Sequence, residues 1–344
     1  MNRHFYLLIC FALLSTPSFS QAAHTIKGQV MNEAGGAPIA NCSVFINSTS
    51  KGTVTDAAGR FELSNIPDGK YVLIVSSIGY ETYVQPFSGT QLPLGLTIRL
   101  KQKATDLSAV TVAPFDPNGW DNWGKAFTDN FIGTTEYANL CTIKNKEVIH
   151  FRYSSKKELL TAVADSPIII ENKALGYTLK YQLEQFSVNF SAGTSMYLGY
   201  PLFIDMPAPS KTWEALWKKN REKAYYGSVM HFIRMLYKNQ LHSPAEGFEI
   251  RRQGKLLTAD DLVTINADQT KSLFFTGDLS VAFRTKRKPG SDVRESTIRL
   301  LTPAPVQIEV NGYYDPPLEL FMLGYWAWSE KCADLLPLDY WPEN

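Results

Sequence analysis

Short apolar and alternating runs fill the chain from Thr25 to about Gln102, and turn-forming residues separate them at strand-length intervals. Val44–Ile46, Gly59–Leu63 and Tyr71–Val75 are three of these runs. Glycine, asparagine and aspartate between the runs favour tight turns. Strands of this length joined by such turns are typical of a β-sandwich. The pattern therefore predicts a small all-β module over this stretch.

The region from about Asn118 to Asn344 mixes strand and helix periodicities. One strict alternation, followed by a second in the opposite phase, predicts two half-buried strands with a break or bulge at Glu184–Gln185. The first alternation comprises Leu175, Tyr177, Leu179, Tyr181 and Leu183, and the second comprises Phe186, Val188 and Phe190. Later apolar runs between Leu273 and Val310 predict further strands.

Two apolar stripes at helical spacing lie between these strands and predict two amphipathic helices. Gly227 can end the first helix, and Ser228 can cap the second. The first stripe is Trp213, Leu216, Trp217 and Ala224, and the second is Val229, Phe232, Ile233, Leu236, Tyr237 and Leu241. Helices beside strands predict an α+β domain with an antiparallel sheet, so we expect the whole chain to be mainly β.

The N-terminal stretch carries a series of short motifs, namely Gly28-x-Val30, Pro38 to Val44, Gly52 to Phe61, Pro67-x-Gly69 and Ile78-Gly-Tyr80. With these motifs it resembles the carboxypeptidase regulatory-like domain. The resemblance implies a prealbumin-like, Ig-like β-sandwich of a kind found beside many unrelated partner domains. Within the third motif, the Asp56 side chain can bond backbone amides and Gly59 can take a positive φ. We therefore expect Asp56 and Gly59 to be structural.

Several blocks of the second region support another resemblance. They are Phe131–Gly133 with Cys141, Pro167–Asn172 with Leu175–Tyr177, Arg221–Ser228 with His231, Phe232 and Arg234, Gly247–Phe248, and Ala333–Pro337. With these blocks the region resembles the partner domain of exported Bacteroidota proteins that carry the same module and have no settled activity. The resemblance implies a shared fold and export, and it supplies no activity.

The first 20 residues have the form of a secretory signal, with Arg3, an apolar run from Phe5 to Leu14 and a small-residue exit at Ser18–Ser20. We expect cleavage near Ser20 or Ala23 rather than an uncleaved anchor, because the apolar run is short for a bilayer. No later segment approaches the length of a membrane helix, so we expect no transmembrane segment after cleavage. The predicted organisation is a signal peptide at 1–23, the regulatory-like sandwich at 24–102, a linker at 103–117 and the α+β domain at 118–344.

Charge and cysteine content narrow the function. The 34 basic and 33 acidic residues nearly cancel, so charge favours neither nucleic acid nor an anionic membrane as a partner. Cys42, Cys141 and Cys332 leave two arrangements open, either one disulfide with one buried thiol or three buried thiols. The zinc-carboxypeptidase ligand pattern, the phosphate-binding loop and the nucleophile elbow are absent from the sequence. We therefore predict no metal and no cofactor.

One constellation could carry chemistry. Ser228 and His231 share a helix face, with Arg234 one turn further and Arg221 and Tyr225 upstream. A serine activated by a histidine would be a nucleophile. In the alternative, Ser228 caps the helix and His231 hydrogen-bonds within the packing. We favour the alternative, because adjacent turns of one helix seldom give nucleophile-to-base geometry, and we assign no catalytic residue.

The tryptophans offer a second hint, because exposed aromatic faces can stack on sugar rings. Trp213 and Trp217 at helical spacing favour core positions, and Trp326-Ala-Trp328 at strand spacing indicates a terminal strand. A glycan platform stays open beside these structural interpretations. No acidic pair stands out as a glycosidase site. All seven tryptophans lie in the second region: Trp120, Trp123, Trp213, Trp217, Trp326, Trp328 and Trp341.

Leu107–Val112 is a short apolar run that resembles the segment after the same module in TonB-driven outer-membrane transporters, and we expect it to be a linker or an extra strand. The sequence as a whole predicts a non-catalytic, exported binding or structural component of the bacterial cell envelope. Its place would be periplasmic, outer-membrane associated or extracellular, and its partner an envelope protein or a glycan. The alternatives are a hydrolase of peptide or glycan material and an accessory to a TonB-dependent uptake system.

Overall fold

A computed structural model describes residues 24–103, 114–242, 246–285 and 293–343. Within these ranges the chain forms five β-sheets and three large hydrophobic cores. We call the three parts the N-terminal sandwich, the central lobe and the C-terminal lobe. The predicted fold class is confirmed, because the protein is mainly β and a sandwich precedes α+β structure with antiparallel sheets. The predicted signal peptide and Leu107–Val112 lie outside the described residues.

The N-terminal sandwich packs a three-stranded sheet, in the order β4-β1-β7, against a four-stranded sheet, in the order β3-β2-β5-β6. Asp56 Oδ1 accepts the amides of Ala58 and Arg60, at 2.9 and 2.8 Å, and Gly59 has a φ of +72°. The structural role predicted for Asp56 and Gly59 is confirmed. The strands are β1 (Ile26–Asn32), β2 (Ser43–Ile46), β3 (Gly52–Val54), β4 (Arg60–Leu63), β5 (Lys70–Ser76), β6 (Tyr83–Ser88) and β7 (Leu94–Leu100).

The central lobe packs helices against one face of a six-stranded sheet, in which β12 pairs with β13, β11 and β10. β12 is a single strand rather than the two predicted, because the bulge expected at Glu184–Gln185 shifts the register after Leu183 without ending the pairing. The elements are α1 (Gly119–Phe131), β8 (Cys141–Ile143), β9 (Ile149–Ser154), β10 (Leu159–Ala164), β11 (Ile168–Asn172), β12 (Tyr177–Asn189), β13 (Thr194–Asp205) and α2 (Lys211–Tyr225).

The C-terminal lobe surrounds α3 with a five-stranded sheet, in the order β15-β14-β18-β19-β22, and a four-stranded sheet, in the order β16-β17-β20-β21. Its elements are α3 (Val229–Tyr237), β14 (Glu246–Arg252), β15 (Lys255–Leu257), β16 (Val263–Ile265), β17 (Lys271–Leu273), β18 (Leu279–Thr285), β19 (Arg294–Leu300), β20 (Val306–Ile308), β21 (Tyr314–Asp315), β22 (Leu320–Gly324) and α4 (Tyr325–Ser329).

The terminal strand predicted for Trp326-Ala-Trp328 is wrong, because these residues belong to helix α4. Gly324 takes a φ of +74° between β22 and the helix, and a Cβ there would lie 2.7 Å from the Glu295 carbonyl oxygen. The chain therefore turns at Gly324, and the spacing of the apolar residues gives no sign of this turn. Trp326 is buried and donates its indole N–H to the Gly227 carbonyl at 2.8 Å, whereas Trp328 is exposed.

The N-terminal sandwich covers the edge of the central sheet. The Ser48 amide donates to the Pro201 carbonyl at 2.8 Å, and the Phe203 amide donates to the Thr49 carbonyl at 3.0 Å. An unpaired edge strand would expose its backbone groups, so these bonds complete β13. A small apolar cluster beside them buries Phe45, Val72, Ile74 and Leu202.

The cysteines and the membrane prediction complete the description. Cys42, Cys141 and Cys332 are all free thiols, two of them buried and Cys141 half-buried. Of the helices in the described ranges, none is both long and apolar enough to cross a bilayer.

Candidate functional site

Ser228 and His231 each bond a backbone amide rather than each other's side chain. Ser228 Oγ accepts the His231 amide at 3.1 Å, which caps α3 as predicted. His231 Nδ1 accepts the Gly227 amide at 3.2 Å. The imidazole is buried among aromatic rings, and burial, followed by the charge of Arg234, lowers its pKa to about 3. This arrangement suits a neutral, structural histidine.

Arg221 lies apart from this pair and anchors α2 to the turn between β11 and β12. Its Nε donates to the Leu175 carbonyl at 2.7 Å, and its Nη2 donates to Asp205 at 3.0 Å. The guanidinium also lies 3.8 Å from the centre of the Tyr177 ring. These Arg221 contacts all lie within the central lobe, so the guanidinium is not in position to orient His231.

The same turn seats Trp217 of α2. Gly176 has a φ of +71°, and a Cβ on it would lie 2.2 Å from the Trp217 ring. The indole N–H donates to the Lys173 carbonyl at 2.8 Å, and the side chain is buried. Only glycine at position 176 lets the ring lie this close to the backbone.

Residues 337–343, which we call the strap, pass from the N-terminal sandwich to α2. The Leu338 amide donates to the Ser48 carbonyl at 2.6 Å. The Asp339 carboxylate accepts both the amide and the hydroxyl of Ser50, at 2.9 and 2.5 Å. Glu343 forms an ion pair with Lys218. The strap is thus fixed at both ends.

Arg234 of α3 holds the middle of the strap and is almost fully buried, at 1% exposure. Its guanidinium donates to the carbonyls of Asn311, Leu338 and Tyr340, each at 3.0 Å. It also stacks 3.7 Å from the centre of the Trp341 ring. Burial lowers the pKa of Arg234, and the three carbonyls together with the ring face compensate the buried charge.

A cleft of about 350 Å³ separates α2 from the strap, and we call it the α2 cleft. Glu214, Trp217, Lys218 and Arg221 of α2 form one wall, and the segment after β13 adds Asp205, Met206 and Ala208 to the lining. Its volume falls at the lower end of the range for small-ligand pockets.

The strap forms the opposite wall with three residues, Tyr340, Trp341 and Glu343. Trp341 is 45% exposed although Arg234 packs on it. Burial raises the pKa of Tyr340 to about 12, so its hydroxyl stays protonated. An exposed indole beside converging polar groups is a typical ligand-binding arrangement. Residues of the strap wall were not among the predicted candidates, although Trp341 was one of the seven tryptophans noted as a hint.

A larger and shallower depression of about 610 Å³ lies in the C-terminal lobe. Its lining includes Arg252, Thr276 and the paired Asp278 and Arg299, and no aromatic side chain contributes to that lining. Arg299 donates hydrogen bonds to the Asp278 carboxylate at 2.5 and 2.8 Å, so its charge is neutralised by an ion pair within the protein. The α2 cleft is the better candidate because it combines an exposed aromatic face with polar groups.

Comparison with known families defines the N-terminal part. Residues 26–112 match the family model of the CarboxypepD_reg-like domain. The N-terminal sandwich is therefore a carboxypeptidase regulatory-like domain, as its motifs predict.

One relative is the TonB-dependent receptor P39 of Formosa agariphila, which is 32% identical over 102 residues. The aligned part is 30% of this chain and 9% of the receptor, so the chain matches a small part of that relative's length.

Solved structures similar to the chain include a putative carbohydrate binding protein from Bacteroides uniformis, at 9% identity over 87% of this chain and 98% of that one. The major pilin subunit of Bacillus cereus is similar at 13% identity over 83% and 94%. Both have a TM-score of 0.18, and likeness at that level supports no conclusion about function.

Proposed function

We propose that the protein is an exported, non-catalytic binding component of the bacterial cell envelope whose ligand binds in the α2 cleft. The observation that carries the proposal is Trp341, which is 45% exposed in a cleft wall that Arg234 and Asp339 hold in place. A binding face fixed before the ligand arrives loses little conformational entropy on binding. The signal-like N-terminus and the shared module of the receptor relative support an envelope location.

The geometry favours binding over hydrolysis. Ser228 Oγ and His231 Nδ1 both accept backbone amides, and the imidazole is buried, so the candidate nucleophile has no adjacent base. We also propose the domain division predicted from the sequence, with the boundary between sandwich and linker near residue 102. N-terminal sequencing of the mature protein from fractionated cells would test the predicted cleavage near Ser20 or Ala23.

A thermal-shift measurement tests the binding proposal. Envelope extract from the producing cells should raise the Tm of the wild-type chain and should not raise that of Trp341→Ala. Trp328→Ala is the matched control, because Trp328 is 47% exposed and is not part of the cleft. Equal shifts for Trp341→Ala and Trp328→Ala would show that the ligand binds elsewhere.

An accessory role in TonB-dependent uptake is a second candidate, and the receptor relative is the observation that favours it. This role predicts that the tagged protein copurifies with one outer-membrane receptor from gently solubilised envelopes. A variant that lacks the N-terminal sandwich should no longer copurify with that receptor, because the sandwich is the shared module. Recovery of the receptor with the deletion variant would contradict the role.

A further inference from the structure

We infer that the ligand of the α2 cleft is an uncharged oligosaccharide. The inference rests on the proposed function, because it names the ligand class of the same cleft. Three properties of the lining carry it: its charges are largely paired, its exposed aromatic side chain is held in place, and its remaining polar groups match hydroxyls.

The charges of the cleft are largely paired within the protein. Arg221 is bonded to Asp205, and Lys218 is bonded to Glu343 across the cleft. Glu214 has no ion-pair partner among the described residues, so the lining keeps a small negative charge. An anionic ligand would meet repulsion, and a cationic one would find a single unpaired carboxylate. A neutral ligand fits this balance best.

Trp341 supplies a face for a sugar ring. Arg234 of α3 lies 3.7 Å from the centre of the indole ring, and Lys238, the residue after the end of α3, lies 5.0 Å from it. Trp341 keeps 45% exposure beside these two cations and lines the cleft. The C–H groups on a pyranose face carry small positive charges, which suit the negative face of an aromatic ring.

The other lining groups match the hydroxyls of such a ring. Asp205 and Glu214 are exposed carboxylates, and each can accept hydrogen bonds from neighbouring hydroxyls. The Tyr340 hydroxyl can both donate and accept. Carboxylate acceptors and a hydroxyl that can donate and accept, placed beside an aromatic ring, suit a ligand that is rich in hydroxyls and carries no charge.

A peptide would use different features. Two common modes of peptide binding are the addition of a strand to a sheet edge and the placing of apolar side chains in a groove. The walls here are a helix and the strap, and Trp217 in the helix wall is only 5% exposed. The cleft therefore offers neither of these binding modes.

The test divides envelope extract from the producing cells into three portions: untreated, protease-digested, and oxidised with periodate, which cleaves vicinal diols. We expect the untreated and digested portions to raise the Tm of the full chain and the oxidised portion to lose the effect. The active material should also pass unretained through anion- and cation-exchange columns. Trp341→Ala should abolish the shift, and Trp328→Ala should keep it.

Glu214→Gln provides a second variant that is expected to fold, because the Glu214 side chain is exposed. We expect it to weaken binding of the unretained fraction roughly tenfold, since one hydrogen bond to a charged acceptor becomes a neutral one. A shift lost on protease digestion and kept after periodate would overturn the oligosaccharide and leave the cleft as the site. No shift in any portion, or an equal shift in Trp341→Ala, would overturn the proposed function itself.

Discussion

Replacing Arg234 with methionine removes the charge that holds the strap while keeping most of the side-chain length. Arg234 is 1% exposed and donates to three backbone carbonyls, two of them in the strap. Hydrogen bonds from a charged donor contribute about 1.5–3 kcal/mol each, and methionine leaves their three acceptors without a partner. Apolar packing by methionine offsets part of this loss. We expect the free energy of unfolding to fall by about 3–5 kcal/mol.

Arg299→Met is the matched control, because Arg299 pairs with Asp278 on the surface, where both side chains are about half exposed. Such a pair contributes about 0–1 kcal/mol. Chemical denaturation followed by circular dichroism measures both variants, and C-terminal digestion with mass spectrometry reports whether the strap is released. Equal losses of stability for the two variants, with a strap that stays protected in Arg234→Met, would show that Arg234 does not hold the strap.

Three further predictions follow from single contacts. The Glu330 carboxylate accepts the Val229 amide at the start of α3, and burial raises its pKa from 4.5 to about 7. Its contribution to stability should be complete below pH 4.5 and be lost as pH rises to about 7, so Glu330→Gln should flatten this part of the curve of Tm against pH. Gly176→Ala drives a Cβ against Trp217 and should cost about 3 kcal/mol or more, whereas Gly254→Ala, with φ +83° and open space, should cost about 1 kcal/mol in chemical denaturation. Burial lowers the pKa of His231 from 6.5 to about 3, so its contribution to stability is complete above pH 6.5 and is lost as pH falls towards 3. The imidazole NMR signals of His231 should therefore not titrate between about pH 5 and 8.

Local features were predictable because their causes lie within a few residues. Asp56 and Gly59 form their turn through bonds to neighbouring amides, and the Ser228 cap reaches an amide three residues on. The bulge after Leu183 is visible as a phase change in the alternation. The strand predicted for Trp326 and Trp328 was wrong because the spacing of two residues cannot distinguish a strand from a single helical turn.

The α2 cleft could not be predicted, because its two walls are more than 100 residues apart in the chain. One feature of the sequence does indicate the contact between α3 and the strap. Arg234 lies between Ile233 and Leu236 of the apolar stripe, and a buried arginine requires acceptors from somewhere else in the fold. The acceptors are carbonyls of the strap, which only the tertiary structure brings to α3.

Hydrogen–deuterium exchange of the full chain, with and without the unretained envelope fraction, locates the ligand site. A ligand in the α2 cleft should slow exchange in peptides that cover α2 and residues 337–343, with no change at the depression around Arg252 and Asp278. Protection at that depression or on the N-terminal sandwich, with α2 and the strap unchanged, would contradict the assignment of the α2 cleft as the ligand site.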